Sequence, residues 1–138
     1  MKYWIGTVSR EHVKRGEAGN FIQLCHGKAA PLKRMQPGDW LIYYSPKEQM
    51  KGGEPLQKFT AICQIKGDES YQVEMFPGFC PFRLDVEYKP CTEIEIRPLL
   101  DQLNFVEDPK RWGAKFRFGH FEIDEHDFTL IKNMMLKV

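Results

Sequence analysis

The stretch Pro37–Pro46, with the sequence PGDWLIYYSP, joins a turn signal to a nearly continuous apolar run. Pro37-Gly38-Asp39 favours a turn, because proline presets φ, glycine accepts a positive φ and aspartate bonds to nearby backbone. Trp40–Ser45 follows directly, and a strand so rich in apolar residues is typically covered on both faces. Pro46 closes this strand. The stretch therefore predicts a turn followed by a central, buried strand.

Other strands and short helices are predicted on either side of the central strand. The strands, marked by alternation or β-rich content, are at Tyr3–Ser9, Phe21–Leu24, Phe59–Lys66, Tyr71–Met75, Arg83–Lys89 and the alternating residues 116–121. The helices are at Arg10–Arg15, Pro31–Met35, Pro98–Leu103 and after Asp124, which caps a helix with an apolar stripe of Phe128, Ile131, Met134 and Met135. Gly16–Asn20 is expected to break the first helix, and the polar residues 47–57 to form a long, lid-like loop. About six strands with small helices indicate a β-barrel-like α+β domain.

Composition places the chain among ordinary globular proteins, with 138 residues, 42% hydrophobic and 28% charged. This length predicts a single domain over residues 1–138. A mean hydropathy of −0.49 and the lack of any long apolar run predict that no segment spans a membrane. The N-terminal residues enter an alternating pattern at once, so no secretory signal is predicted and a cytoplasmic location is expected.

The cysteines Cys25, Cys63, Cys80 and Cys91 are widely spaced and contain no Cys-x-x-Cys pair. Neither a zinc site nor a redox motif is predicted, so we expect reduced thiols, no metal and no cofactor. Cys25 precedes His26, but neighbours on a strand point to opposite faces, which argues against a nucleophile and its base. No catalytic residue is therefore assigned.

Charge is uneven along the chain although the net charge is only +1. So small a sum argues against a protein that coats nucleic acid by charge alone. Residues 1–60 hold ten Lys or Arg against five Asp or Glu, whereas the remainder is acidic. Either the first half meets an anionic ligand, or the asymmetry disperses over the folded surface.

Eight short motifs, each weak alone, stand in one order along nearly the entire chain. They are Tyr3-Trp4-Ile5, Gly19–Gln23 with His26-Gly27-Lys28, Pro37-Gly38-Asp39, Tyr43–Pro46, Phe59-Thr60-Ala61, Pro81-Phe82-Arg83, Trp112-Gly113 and Phe116–Gly119. In this order they resemble the EVE-domain family. The resemblance implies a PUA-like fold, an open mixed β-barrel related to YTH domains and more distantly to ASCH domains.

The resemblance also implies a function, because EVE and YTH domains are associated with a pocket that accepts a modified base of DNA or RNA. A flipped base needs aromatic faces for stacking and polar groups that read its edge. The predicted ligand-binding residues are Phe21, Gln23, Tyr44, Ser45, Pro46, Phe79, Arg117, Phe118 and Gly119. The predicted phosphate contacts are Lys28, Lys33, Arg34 and Lys47. The expected partners are modified nucleic acid and an effector protein.

Several of these residues also have a purely structural interpretation. Aromatic residues are usually core, which favours packing for Trp4, Tyr43, Trp112, Phe116 and Phe121. Strand alternation sets Arg117 opposite its two phenylalanine neighbours, either in solvent or as a ligand clamp. The carboxamide of Gln23, between Ile22 and Leu24, needs either a ligand or a protein partner if it is buried.

Two other functions remain open at this stage. ASCH-type relatives include small amidohydrolases of modified nucleosides that use a compact Lys/Thr/Glu set, but nothing in this sequence marks such a set clearly. Thr60 lies on a predicted strand, Lys28 and Lys58 lie elsewhere, and the sequence brings no carboxylate to them. In the second alternative, the same cavity binds a free small molecule or a protein partner instead of a nucleic acid. Binding of that kind would depend only weakly on salt, unlike binding of nucleic acid.

Overall fold

The computed structural model describes residues 1–136, which form a mixed sheet with short helices around it. The strands are β1 (Tyr3–Thr7), β2 (Phe21–Ile22), β3 (Trp40–Lys47), β4 (Pro55–Ile65), β5 (Tyr71–Gln72), β6 (Phe82–Tyr88), β7 (Ile94–Glu95) and β8 (His120–Ile123). Their order is β2-β6-β4-β3-β1-β8, with β5 beside β6 and β7 beside β4. Strand β1 runs parallel to β3 and antiparallel to β8. The sheet curls into an open barrel, which confirms the predicted PUA-like α+β fold.

Within residues 1–136, three α-helices and three 3₁₀ segments accompany the strands. The helices are α1 (Arg10–Gly19), α2 (Ala30–Lys33) and α3 (Glu125–Met135), and the 3₁₀ segments are Cys25–Gly27, Arg97–Leu99 and Pro109–Phe118. Ser9 caps α1 by accepting from the backbone of His12, and Asp124 caps α3 by accepting from that of Asp127. None of the described helices is long and apolar enough to cross a membrane. The predicted domain includes residues 137 and 138, which lie outside the described residues.

The turn before the central strand is fixed by a buried carboxylate. Gly38 takes a positive φ of 95°, and Asp39 is 5% exposed. Its carboxylate accepts from the indole Nε1 of Trp4 at 3.1 Å and from the backbone nitrogens of Lys2 and Gln36 at 3.0 Å each. The turn is therefore tied to the start of β1, and Trp4 has a structural role.

Strand β3 divides the core between its two faces, as predicted. Leu41 and Tyr43 pack in one apolar cluster, and Ile42 and Tyr44 pack in the other. Strands β1 and β4 flank β3, so its backbone is paired on both edges. Such a strand is buried on all sides, which explains its nearly continuous apolar sequence.

Helix α1 is longer than predicted, because it continues through the glycines that were expected to end it. A Cβ on Gly16 would lie 2.6 Å from the carbonyl oxygen of Phe21, and a Cβ on Gly19 would lie 2.5 Å from the Phe21 ring. These glycines allow β2 to pack closely on the helix. The helix ends at Asn20, which is left-handed with a φ of 57°.

The predicted strand over residues 116–121 is wrong in its first half. The 3₁₀ segment, capped by Asp108, runs to Phe118, and Gly119 with a φ of 75° separates it from β8. Phe116 is 7% exposed and Phe118 is 71% exposed, so the two rings do not share a face. The alternation argument for Arg117 therefore does not apply, because a 3₁₀ helix has three residues per turn instead of a repeat of two.

Three further boundaries differ from the predictions. The lid-like loop is shorter, with only residues 48–54 between β3 and β4. Strand β5 ends at Gln72 instead of Met75, because a second turn follows it. Met134 is 40% exposed, whereas the other members of the predicted α3 stripe are buried.

Candidate functional site

A cavity of about 640 Å³ opens where the parallel strands β1 and β3 end. Cavities of roughly 300–1,000 Å³ are typical of small-molecule sites. Parallel pairing places Thr7 beside Tyr44, and the backbone nitrogen of Val8 donates to the Tyr44 carbonyl at 3.2 Å. The residues that follow both strands are thereby brought to one place. The remaining wall comes from α1, the turn after β2, the loop 48–54, the turn after β5 and the 3₁₀ segment before β8.

The cavity brings together a large part of the predicted ligand-binding set. The predicted residues that line it are Gln23, Pro46, Phe79, Arg117, Phe118 and Gly119, together with Lys47 from the predicted phosphate contacts. They come from segments far apart in sequence. Their contact with a ligand remains a prediction.

Three of the predicted ligand-binding residues lie elsewhere. The Tyr44 ring is 2% exposed and stacks on Phe116 with centroids 4.0 Å apart, inside the core. Ser45 is fully buried, and its hydroxyl lies 2.8 Å from that of Thr60. Phe21 lies under the guanidinium of Arg83, 3.9 Å from ring centroid to Cζ. Each side chain is thus occupied by a protein partner.

Of the predicted phosphate contacts, Lys47 lines the cavity and the other three do not. Lys28, Lys33 and Arg34 are exposed but do not line the cavity. Arg15 does line it, on the side of α1, and sequence reasoning missed this residue. Helical periodicity offered the signal, since Arg15 follows His12 by three residues and shares its face.

Gln23 is a buried carboxamide whose orientation is fixed by its neighbours. The residue is 4% exposed, and its Oε1 accepts from Arg83 Nε at 3.2 Å. A guanidinium can only donate, so it fixes the oxygen of the amide on its own side. The NH₂ group makes no hydrogen bond within residues 1–136. Because the side chain lines the cavity, this NH₂ is a donor that remains free for a ligand.

His12 and Thr7 add two polar groups to the cavity wall. Nε2 of His12 lies 3.0 Å from the carbonyl oxygen of Gln23, so this nitrogen donates. Burial lowers the pKa of His12, which keeps the ring neutral at pH 7 and leaves Nδ1 as an acceptor. The Thr7 hydroxyl is buried without a hydrogen-bond partner within residues 1–136. The wall therefore offers a donor at Gln23 and an acceptor at His12.

The turn Cys25–Gly27 has three successive residues with positive φ, at 49°, 61° and 84°. The backbone of Cys25 and His26 is therefore not extended, and both side chains line the cavity, contrary to the strand argument. Burial raises the pKa of the Cys25 thiol, which disfavours the thiolate that a nucleophile requires. Sγ of Cys25 lies 3.9 Å from the Phe118 carbonyl oxygen.

A second turn, Phe76–Phe79, presents two aromatic rings at the cavity. Pro77 and Gly78 occupy its centre, with Gly78 at a φ of 87°, and the backbone nitrogen of Phe79 donates to the Phe76 carbonyl at 3.0 Å. The two rings stack with centroids 5.1 Å apart. Gly27 lies against this turn, because a Cβ there would be 3.7 Å from the Phe79 ring.

The loop 48–54 is tied to α1 at its base. Arg10 donates to the Glu48 carboxylate at 3.0 Å and to that of Glu93 at 2.7 Å. The backbone nitrogen of Glu11 also donates to the Glu48 carbonyl at 3.0 Å. These bonds hold the start of the loop, which then carries Met50 to the cavity.

Comparison with known proteins places the chain among relatives over its whole length. It is 54% identical over 136 residues to a UPF0310 protein of Mycolicibacterium vanbaalenii, covering 99% of this chain and 94% of the relative. It is 50% identical over 133 residues to the UPF0310 protein YdcG of Bacillus subtilis, covering 96% and 91%.

Among solved structures, the fold is similar to the YTH domain of a Zygosaccharomyces rouxii protein, described in complex with N6-methyladenosine RNA. The TM-score is 0.64 at 12% identity, covering 96% of this chain and 83% of that one. A Leishmania major protein has a TM-score of 0.62 at 11% identity, covering 97% and 94%. These likenesses concern the fold. The sequence pattern of the family described as "EVE domain" matches residues 2–134, and the chain belongs to this family.

Proposed function

We propose that this protein binds a modified nucleobase of a nucleic acid strand in the cavity between β1, β3 and α1. The observation that carries the proposal is the fixed Gln23 carboxamide, whose NH₂ is left free at a cavity lined by aromatic rings. The donor of Gln23 and the acceptor of His12 suit the edge of a base, which presents donors and acceptors side by side. A donor and an acceptor that are fixed before the ligand arrives favour a ligand that bonds to them, because little ordering is left to occur on binding.

The apolar part of the wall suits the faces of a base and a small substituent. Phe79 and Phe116 line the cavity, and stacking of a base on an aromatic ring contributes about 1–3 kcal/mol. Val8, Pro46 and Met75 add aliphatic surface, which suits a methyl-sized group. The combination of polar groups and apolar surface gives such a site its selectivity.

The relationship to the YTH fold supports the choice of ligand class. The Zygosaccharomyces rouxii domain was solved with RNA that contains N6-methyladenosine. The present chain shares that fold, and its cavity of about 640 Å³ has room for a base with its substituent. The hydrolase alternative gains no support at Thr60, which is 1% exposed and bonded to Ser45.

The test is binding of short labelled DNA and RNA that carry one modified cytosine or adenine, against unmodified strands, at two salt concentrations. We expect a preference for one modification, with affinity falling as salt rises. Gln23→Ala should weaken binding of the preferred strand by about fivefold, since one hydrogen bond contributes roughly 1 kcal/mol. Gln102→Ala, which removes an exposed carboxamide outside the cavity, is the matched control.

Thermal unfolding of both variants must accompany the binding data, because Gln23→Ala also leaves Arg83 without its partner. Equal binding of all modified and unmodified strands by the wild-type protein would overturn the proposal. Release of product from modified nucleosides would favour the hydrolase alternative instead.

A further inference from the structure

The mouth of the cavity carries exposed apolar side chains, which soluble proteins normally bury. Met50 is 67% exposed, Phe76 is 59% exposed and Phe118 is 71% exposed, and all three line this one cavity. They belong to three separate segments, so their meeting is a product of the fold. Exposed apolar residues that cluster at a polar-rimmed site mark a surface for binding. We call Met50, Phe76 and Phe118 the rim.

The Phe76 ring and the backbone that carries Phe118 are held in place. Phe76 stacks on Phe79 within a Pro-Gly turn, and that turn packs against Gly27. Phe118 precedes the left-handed Gly119, whose backbone oxygen accepts from the nitrogen of Thr7 at 2.9 Å. Groups that are already ordered in this way lose less conformational freedom when a flat ligand stacks on them.

The charges around the rim favour an anionic occupant. Arg15, Lys47 and Arg117 line the cavity, and no Asp or Glu of residues 1–136 does. Arg15 has an exposed ion pair with Glu11 at 3.5 Å, which solvent screens. Exposed flat rings interleaved with cations are the combination that binds single-stranded nucleic acid, through stacking and phosphate contacts.

We propose that the cavity takes its base from a single strand, whose flanking nucleotides stack on Phe76 and Phe118 while Arg117 and Lys47 contact phosphates. This proposal rests on the proposed function and adds the strand state and the extent of the ligand. Bases inside a duplex are stacked on each other and present no free face to the rim. A free nucleoside fills the cavity but leaves the rim uncovered.

The test compares ligands of increasing extent that carry the same base. The probes are the 5′-monophosphates of N6-methyladenosine and 5-methylcytidine, single strands of about seven nucleotides with either base at the centre, and the matching duplexes. We expect the single strand to bind at least about tenfold more tightly than both the monophosphate and the duplex, since stacking adds this much per base.

Variants separate the rim from the cavity. Phe118→Ala and Phe76→Ala should each weaken binding of the single strand by about tenfold and weaken binding of the monophosphate by clearly less. Met134→Ala removes an exposed apolar side chain on α3, away from the cavity, and should change neither. Equal affinity for monophosphate and single strand, or a duplex bound as tightly as the single strand, would overturn the rim proposal and leave the cavity proposal standing. If no probe binds, both proposals fail.

Discussion

His120, the first residue of β8, is a buried imidazole without a protein partner for its nitrogens. The residue is 3% exposed, and its ring stacks on Trp4 with centroids 4.7 Å apart. Neither ring nitrogen has a hydrogen-bond partner within residues 1–136. Burial, together with a smaller effect of the charge of Arg34, lowers the pKa of His120 from 6.5 to about 4. The ring is therefore neutral in the folded protein at pH 7.

This histidine predicts a pH-dependent stability. Between about pH 6.5 and pH 4 the unfolded chain binds a proton at His120 and the folded protein does not, so the free energy of unfolding falls as the pH falls. The lowered pKa corresponds to about 3 kcal/mol at the acidic end of this range. His120→Phe keeps the stacking on Trp4 and should be at least as stable as the wild type at pH 7, with a weaker loss on acidification. Urea unfolding at several pH values measures both.

The comparison with the variant is necessary because burial also lowers the pKa of His12. His12 therefore also makes the free energy of unfolding fall as the pH falls. Subtracting the two pH profiles isolates His120. Identical profiles would show that His120 takes up its proton in the folded protein at an ordinary pKa.

At the scale of elements, the turn Cys25–Gly27 sets the shape of the cavity, because it lies between the two segments that carry the aromatic rings. Cys25 lies near the Phe118 carbonyl, and Gly27 lies against Pro81 and Phe79. The successive positive φ values are costly for residues with a side chain and persist only where the surroundings enforce them. The turn is therefore a constrained part of the site.

Gly27→Ala should destabilise the protein and weaken ligand binding together. Gly27 has a φ of 84°, and a Cβ there would lie 2.3 Å from the Cβ of Pro81. The left-handed conformation and the displaced Pro81 should cost about 1–3 kcal/mol of unfolding free energy. Thermal unfolding and oligonucleotide binding measure the two effects.

Gly38→Ala is the matched control for that prediction. Gly38 also has a positive φ, 95°, but a Cβ there has nothing within 4 Å. It should lose stability through strain alone and retain binding. An equal loss of binding in the two variants would show that the turn at Gly27 has no special role in the cavity.

For the whole molecule, the charge of the cavity predicts which bases are excluded. The lining holds three cationic side chains and, within the described residues, no carboxylate. In a partly dehydrated cavity a cationic base would be repelled by these groups. We therefore expect neutral or anionic modified bases to bind and cationic ones to be rejected.

Isomeric methylated adenines test this expectation at constant size. N1-methyladenine is cationic at pH 7, so a single strand that carries it should bind at least about tenfold more weakly than one with N6-methyladenine. This difference in affinity should become smaller at high salt, because screening weakens the repulsion. The two isomers also differ in hydrogen bonding, so a second test of the charge effect is needed. Arg117→Gln removes one cation from the cavity and should also reduce the difference in affinity between the two strands. A gap that neither salt nor Arg117→Gln changes would show that charge does not set the selectivity.

Much of the fold followed from local patterns. The turn at Gly38, the doubly covered strand β3 and the capped helices were predicted from residue type and spacing, because each depends on a few neighbouring residues. The errors lie at irregular elements. The alternation of residues 116–121 resembled a strand, but the first half of that segment is a 3₁₀ helix that ends at Gly119, with Phe116 packed on Tyr44.

The sequence by itself determined the family, the class of fold and the presence of a polar amide at Gln23 that needed a partner. Only the tertiary structure decided that this partner is Arg83, that Tyr44 and Ser45 belong to the core, and that Arg15 and His12 belong to the cavity. The physical reason is that local sequence sets the conformation of each segment and the face on which a side chain lies. Which groups then meet depends on pairing between distant strands, here the parallel contact of β1 with β3.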